Sequence, residues 1–295
     1  MKHSLTLSIV IPVYNEERYI KHCLDAIASQ TVMPIEVIVV DNNCIDKTIE
    51  IAETYPFVKV LKQPTQGRTV SRNMGFNAAK GDIIGRIDAD SILMPNWVER
   101  ALYDFSNYEI DGVTGLSRAR VLLGFTKWYS TFWTRAYYWT AHSLYRAMTM
   151  WGADMAIRRK AWLEIRDDTA PDGSKVHEDQ DLSFVLIGHG GRIMQDNKLL
   201  ITSAAGNASL LYWPKFWSYF KKGLRMKEYH SGLGTLDNPA AQKLRLNFWQ
   251  LLPGAILGWT LTGLFMIYSL SCWPILAVLL KRRERQQIKA KSSFY

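Results

Sequence analysis

The sequence predicts an α/β protein, a parallel sheet with helices on both faces. Over residues 5–87, four apolar, β-branched runs alternate with three segments of helical periodicity. The runs are continuously apolar rather than alternating, as expected of strands covered on both faces. A third observation sets the far end of the chain apart: from Leu246 to Leu280 there is no charged residue, which predicts a membrane-embedded helical segment.

Each element follows from its own residues. Residues 5–13 (LTLSIVIPV) form the first strand, closed by a proline. Residues 16–29 read as an amphipathic helix with Tyr19, Ile20, Leu24, Ile27 and Ala28 on one side. Residues 35–40 (IEVIVV) are the second strand, and Asp46 suits the cap of the helix that follows. Residues 57–62 give a third strand, 69–79 a third helix and 82–87 (DIIGRI) a fourth strand. This last strand delivers Asp88 and Asp90 to one place. If it continues through them, the two side chains share a face. Two close carboxylates repel, so they lie in a solvated turn or flank a cation. Ligands of such sheets bind beyond the carboxyl ends of the strands, where Asp41 also lies.

Composition narrows the function. The chain has 295 residues, enough for one large or two ordinary domains, and a formal charge of +9. Residues 1–110 carry 11 basic and 14 acidic side chains, whereas residues 201–295 carry 13 and 3. The basic excess therefore sits against apolar sequence, and anionic lipid is a better partner for it than nucleic acid. Cys23, Cys44 and Cys272 are widely spaced, as free thiols in a reducing compartment would be. No signal peptide is read at the N-terminus, and the protein is expected to face the cytoplasm. A Gly-x-Gly-x-x-Gly after the first strand and a P-loop are both absent.

The segments SIVIPVYNEERYI, VIVVDNNCIDKT, GRTVSRNMGFNAAKGDIIGRIDADS, WGADMAIRRKAW and HEDQDLSFVL occur in the order seen in family 2 glycosyltransferases of the GT-A fold. The resemblance spans roughly residues 7–195. It implies a Rossmann-like mixed sheet flanked by helices, a nucleotide-diphospho-sugar donor and a divalent cation, Mn²⁺ or Mg²⁺. Asp88 and Asp90 match the Asp-x-Asp motif. Asp90 is implied to meet the metal and Asp88 to lie nearer the ribose and metal shell. Asp41 matches the aspartate that accepts from a pyrimidine N3–H, although Asp-Asn-Asn-Cys stands in place of the commoner Asp-Asp-Gly-Ser. Pro12, Tyr14 and Glu16 match the first nucleotide loop. Arg72 and Asn73 match the segment beside the nucleotide, where an arginine suits the diphosphate. Asp179 matches the general base of a Glu-Asp motif, with Glu178 orienting the site or acceptor. One base opposite the leaving group gives inversion. Asp181 in the same helix turn is also explained by the helix dipole. Asp154 stands where members often carry Asn on the acceptor side, within hydrogen-bond reach of a sugar. The Gln-x-x-Arg-Trp motif of processive synthases is not found after Asp181, which argues for single-sugar addition.

The expected organisation is a nucleotide-sugar half at 1–115, an acceptor and catalytic half at 116–210, a basic aromatic segment at 211–245 and a membrane segment with a basic tail at 246–295. Residues 125–145 and 211–229 mix Trp and Tyr with Lys and Arg, the composition of a membrane interface or of an aromatic core beside the site. Gly254–Trp273 alone would span about 30 Å as a helix. Basic flanks on both sides favour a re-entrant hairpin over a single span. The natural acceptor of a membrane enzyme is one on a lipid carrier. The competing readings are a non-catalytic membrane scaffold with a degenerate transferase domain and a nucleic-acid binder. The intact Asp88, Asp90 and Asp179 argue against the scaffold.

Overall fold

The computed structural model describes residues 4–119, 148–171, 173 and 176–203. The aromatic segments 125–145 and 211–229, the apolar run 246–280 and the basic tail lie outside the described residues. Among the described residues, no helix is long and apolar enough to cross a membrane.

The chain begins as the sequence predicts. Strand β1 (Leu7–Val13), helix α1 (Ile20–Ala28), β2 (Glu36–Asp41), α2 (Thr48–Glu53), β3 (Val58–Lys62), α3 (Arg68–Ala78) and β4 (Ile83–Ile87) follow one another. Then come β5 (Ser91–Leu93), α4 (Trp97–Asn107), β6 (Gly112–Ala119), β7 (Asp154–Arg158), α5 (Arg159–Ile165), α6 (Glu178–Gly188) and β8 (Ile193–Ser203). All eight strands form one sheet in the order β3-β2-β1-β4-β7-β6-β8-β5. Strands β1 to β4 are mutually parallel, as the alternating pattern requires. Strand β7 runs antiparallel to β4 and to β6, which makes the sheet mixed. Strand β6 begins before residue 115 and ends after it, so the two expected halves share one sheet.

The continuous apolar runs are explained by two cores. Ile9, Ile11, Val37, Val39 and Ile87 pack with α1 and α4, through Leu24, Ile27, Trp97 and Phe105. Val10, Ile38, Val40, Ile84 and Met155 pack on the other face with Phe76, Trp162, Leu182 and Val185. Side chains two apart share a face, so each strand feeds both cores in turn.

The order 3-2-1-4 means the chain winds outward from β1, then returns to β4 on β1's other side. This is a topological switch point, and it opens a crevice at the carboxyl ends of β1 and β4. Two local corrections apply there. Strand β4 ends at Ile87, and the Ser91 N–H closes a turn on the Asp88 carbonyl at 2.9 Å. Asp88 and Asp90 therefore belong to a turn, not to a shared strand face. Helix α1 starts at Ile20 rather than near residue 16, which leaves Glu16 and Glu17 in the crevice loop. Their N–H groups are taken by the Thr48 hydroxyl at 2.7 Å and by Asp46 at 3.1 Å instead of by a helix.

Away from the crevice, Asp104 of α4 is buried between Arg100, at 3.1 Å, and Asp196. Burial and the neighbouring Asp196 charge push its carboxyl up to about 7. The folded state thus holds a proton that the unfolded chain releases near 3.8. Its contribution to stability is full below that lower value and is lost as pH rises through about 7. Asp104→Asn removes this loss. Urea midpoints should be higher for the variant than for wild type at pH 8, with the gap narrowing by pH 5. An equal gap at both pH values would refute the raised carboxyl.

Candidate active site

Two loops form one wall of the crevice. Asn15 and Asn43 hold left-handed backbone, with φ of 56° and 67°, a conformation asparagine tolerates better than most residues. The Ile45 N–H donates to Asn15 Oδ1 at 2.9 Å, tying the loop after β1 to the loop after β2. Asp46 accepts from the Thr48 N–H at 3.0 Å, which holds the start of α2 as the sequence suggests. The Gly67 N–H donates to Asn42 Oδ1 at 2.8 Å, which brings in the start of α3. Asp41 is buried at the end of β2, its Oδ1 accepting from the Cys44 N–H at 2.8 Å. Burial pushes the Cys44 thiol up to about 11, so it stays protonated at neutral pH. Pro12 is half-buried in β1, while Tyr14 is 46% exposed at the mouth.

Carboxylates crowd the next wall. Burial, then the charges of Asp90 and Asp88, push the Glu16 carboxyl up to about 7. The structure thus brings together Glu16, Asp88 and Asp90. Asp88 is 43% exposed, and its Oδ1 lies 3.0 Å from Arg86 Nη2.

Arg86 is the residue that sequence reasoning missed. Its side chain is 6% exposed, and the same Nη2 lies 3.0 Å from Glu178 Oε1. Glu178 opens α6, so one guanidinium joins the Asp-x-Asp turn to the Glu-Asp motif. The available signal was a charge inside the apolar run DIIGRI, since a buried charge demands partners.

Arg72 requires a correction. Its expected place is beside the diphosphate, yet it is 0% exposed and committed elsewhere. Nη1 lies 3.3 Å from Glu178 Oε2 and also donates to the Glu178 carbonyl. Nε and Nη2 donate to Asn73 Oδ1 at 3.0 and 2.8 Å, so Asn73 too is engaged with Arg72. The pair anchors the start of α6 under the site. Burial opposes the charge on Glu178, but Arg86, Arg72 and Arg68 outweigh it and hold its carboxyl below the ordinary range.

Asp179 is half-buried, its Oδ2 accepting from the Gly152 N–H at 3.2 Å. Burial and the adjacent Glu178 charge raise its carboxyl above the ordinary value, with Arg86 and His177 opposing. Asp181 is buried and accepts from the Ala170 N–H at 2.8 Å, a structural role.

Asp154 requires a second correction. Pairing opposite Ile87 turns its side chain to the α4 face, into the core. It is 0% exposed, and its Oδ1 accepts from Trp97 Nε1–H at 2.7 Å. Burial pushes this carboxyl well above the ordinary range. A Cβ at Gly115 would collide with Oδ2 and with the Leu199 carbonyl, so the absence of a side chain there makes room for the carboxyl.

The sequence profile described as "Glycosyl transferase family 2" matches residues 8–165, more than half of the chain. The chain belongs to that family. Among curated relatives, the putative glycosyltransferase EpsH of Bacillus subtilis is 38% identical over 100 residues, 32% of this chain and 29% of its own. Glycosyltransferase AglE of Haloferax volcanii is 37% identical over 116 residues, 37% of this chain and 38% of its own. The matched stretch thus spans well under half of these relatives. Among solved structures, a mannosyltransferase from Pyrobaculum calidifontis in complex with GDP-Man and Mn²⁺ covers 94% of this chain and 81% of its own, at TM-score 0.60 and 18% identity. TarS residues 1–349 of S. aureus, in complex with UDP-GlcNAc, covers 86% and 79%, at TM-score 0.54 and 18% identity. These likenesses establish that the family's mixed-sheet fold is shared.

The placement of Asp154 has a direct check. Asp154→Ala strands the buried Trp97 N–H and should cost about 1–3 kcal/mol in chemical denaturation. Asp154→Asn keeps an acceptor and should cost less. Unchanged stability of the Ala variant would return Asp154 to the site.

Proposed function

We propose that this protein transfers a sugar from a nucleotide-diphospho-sugar, UDP-linked on the strength of Asp41, to an acceptor hydroxyl or phosphate with inversion at the anomeric carbon. The observation that carries the reading is the meeting of two acidic motifs from separate parts of the chain at one switch-point crevice. Family membership supports it, as do GDP-Man and UDP-GlcNAc in complexes of proteins with this fold.

The residues present fit a divalent cation. Asp88 and Asp90 follow the end of β4 in one turn and offer hard oxygen donors there. Among the described residues, no group of three or more His, Cys, Asp or Glu side chains could hold a metal ion. Mg²⁺ and Mn²⁺ are typically held by one or two carboxylates together with phosphate oxygens and water, which is the share that Asp88 and Asp90 would supply. When bound, such a cation stabilises the negative charge of the departing diphosphate.

The chain's own residues do the rest. Asp41 receives the base at the end of β2, and Pro12 and Tyr14 border it. Asp179 takes the proton from the acceptor hydroxyl. Its raised carboxyl makes it a stronger base than an ordinary aspartate. The Gly152 N–H fixes the Asp179 carboxylate without neutralising it.

The proposal extends to location. The apolar run 246–280 and the basic tail hold the enzyme on the cytoplasmic face of a membrane, where lipids are partners and a lipid-linked acceptor is at hand. Deleting residues 246–295 should release most of the protein from membranes in a flotation assay. Full retention would place the anchor elsewhere.

Two variants test the chemistry. Asp90→Ala should lower UDP affinity in Mn²⁺ to its level in chelator, measured by calorimetry. Asp179→Asn should bind UDP within about threefold of wild type but lose about 100-fold or more in donor turnover. Near-wild-type turnover would remove Asp179 from the base role.

A further inference from the structure

Arg86 occupies a slot whose walls all belong to the site. Asp88 Oδ1 lies 3.0 Å from its Nη2 on one side, and Glu178 Oε1 lies 3.0 Å away on another. Glu178 is gripped from behind by Arg72 at 3.3 Å. Gly152 closes the slot: a Cβ there would fall 1.2 Å from Arg86 Nη1, so no larger residue leaves the guanidinium in place. The Gly152 N–H also holds Asp179 at 3.2 Å. Both carboxylates meet the same nitrogen, Nη2, whose two N–H bonds lie in the guanidinium plane at fixed directions, a constraint that a freely rotating lysine ammonium does not impose.

We propose that Arg86 is a positioning residue that couples the two sides of the site, fixing the Asp-x-Asp turn and the start of α6 against each other so that binding at Asp88 depends on Glu178. The inference rests on the glycosyltransferase reading. Arg86 divides its charge between two carboxylates. With Glu178 neutral, the guanidinium is drawn wholly onto Asp88 and competes for the carboxylate that a cation needs. Glu178 lies on the base side, so a purely structural role gives no reason for its charge to matter at the donor side.

The test is a calorimetric mutant cycle with Mn²⁺ and UDP as the probe. Glu178→Gln alone should weaken UDP affinity in Mn²⁺ by about threefold or more. In the Arg86→Met background the same replacement should change affinity by less than about twofold, because the bridge is already gone. Arg86→Met removes a buried cation and can unfold the chain. Two further backgrounds cover that case: Arg86→Lys keeps the charge without the planar guanidinium, and Gly152→Ala displaces the guanidinium without removing any ionisable group. Both should abolish the Glu178→Gln effect, and ligand-free melting midpoints report structural loss separately. An unchanged affinity in Glu178→Gln, or an equal effect in every background, overturns the coupling. A wild-type protein that binds neither Mn²⁺ nor UDP overturns the proposed function and this inference together.

Discussion

The buried ion cluster of Arg72, Glu178 and Arg86, which reaches the surface at Asp88, is the constraint on which the site depends. Removing charges from water costs several kcal/mol each, and that cost is recovered only when partners are close and well aligned. Arg72 is fully enclosed and Arg86 nearly so. Each must therefore have a carboxylate, and Glu178 serves both. The consequence is geometric. Helix α6 cannot begin anywhere else, because its first residue is gripped from two strand-and-helix layers at once. Removing Glu178 would leave the fully buried Arg72 without its carboxylate, a loss of about 3–5 kcal/mol in comparable buried pairs.

Topology supplies the place and local hydrogen bonds give it shape. The return of the chain to β4 beside β1 opens the crevice, but open strand ends alone would be floppy. Asn15, Asn42 and Asp46 tie the loops after β1 and β2 to each other and to the starts of α2 and α3. Short polar side chains do this because they reach backbone N–H groups that no strand or helix satisfies. The loop that carries Tyr14 and Glu16 is thereby fixed relative to Asp41 before any ligand arrives.

The first half of the fold was legible because strands buried on both faces must be continuously apolar, and β1 to β4 obey that rule. The antiparallel insertion of β7 between β4 and β6 was not derivable from the residues alone, since short apolar runs do not encode their neighbours. Asp154 shows the same limit at one residue. Its identity was visible, but its face is set by pairing with Ile87, a register that exists only in the sheet. Arg72 shows it for a helix: position in the segment did not reveal that the side chain turns inward under α6. Arg86 was the opposite case, a visible anomaly whose partners lie one residue pair downstream and a whole fold away. The Asp-x-Asp geometry stayed open between a strand face and a turn, and the turn wins because aspartate is a poor strand former and β4 ends at Ile87.

The cluster also sets two adjacent carboxylates apart in their affinity for a proton. Glu178 and Asp179 are neighbours at a helix N-terminus, where the dipole favours charge on both. Their surroundings push them apart. Glu178 receives Arg86 and Arg72 and is held below the ordinary range. Asp179 is raised by burial and by the fixed charge of Glu178, with only partial relief from Arg86, the Gly152 N–H and His177. A carboxylate already saturated by two guanidiniums is a poor proton acceptor. One that is raised, half-buried and held by the backbone N–H groups of Gly152 and Gln180 is a better one. The arginines thus hold Glu178 as the charged structural partner and leave Asp179 the better proton acceptor, which is the role the proposed function gives it.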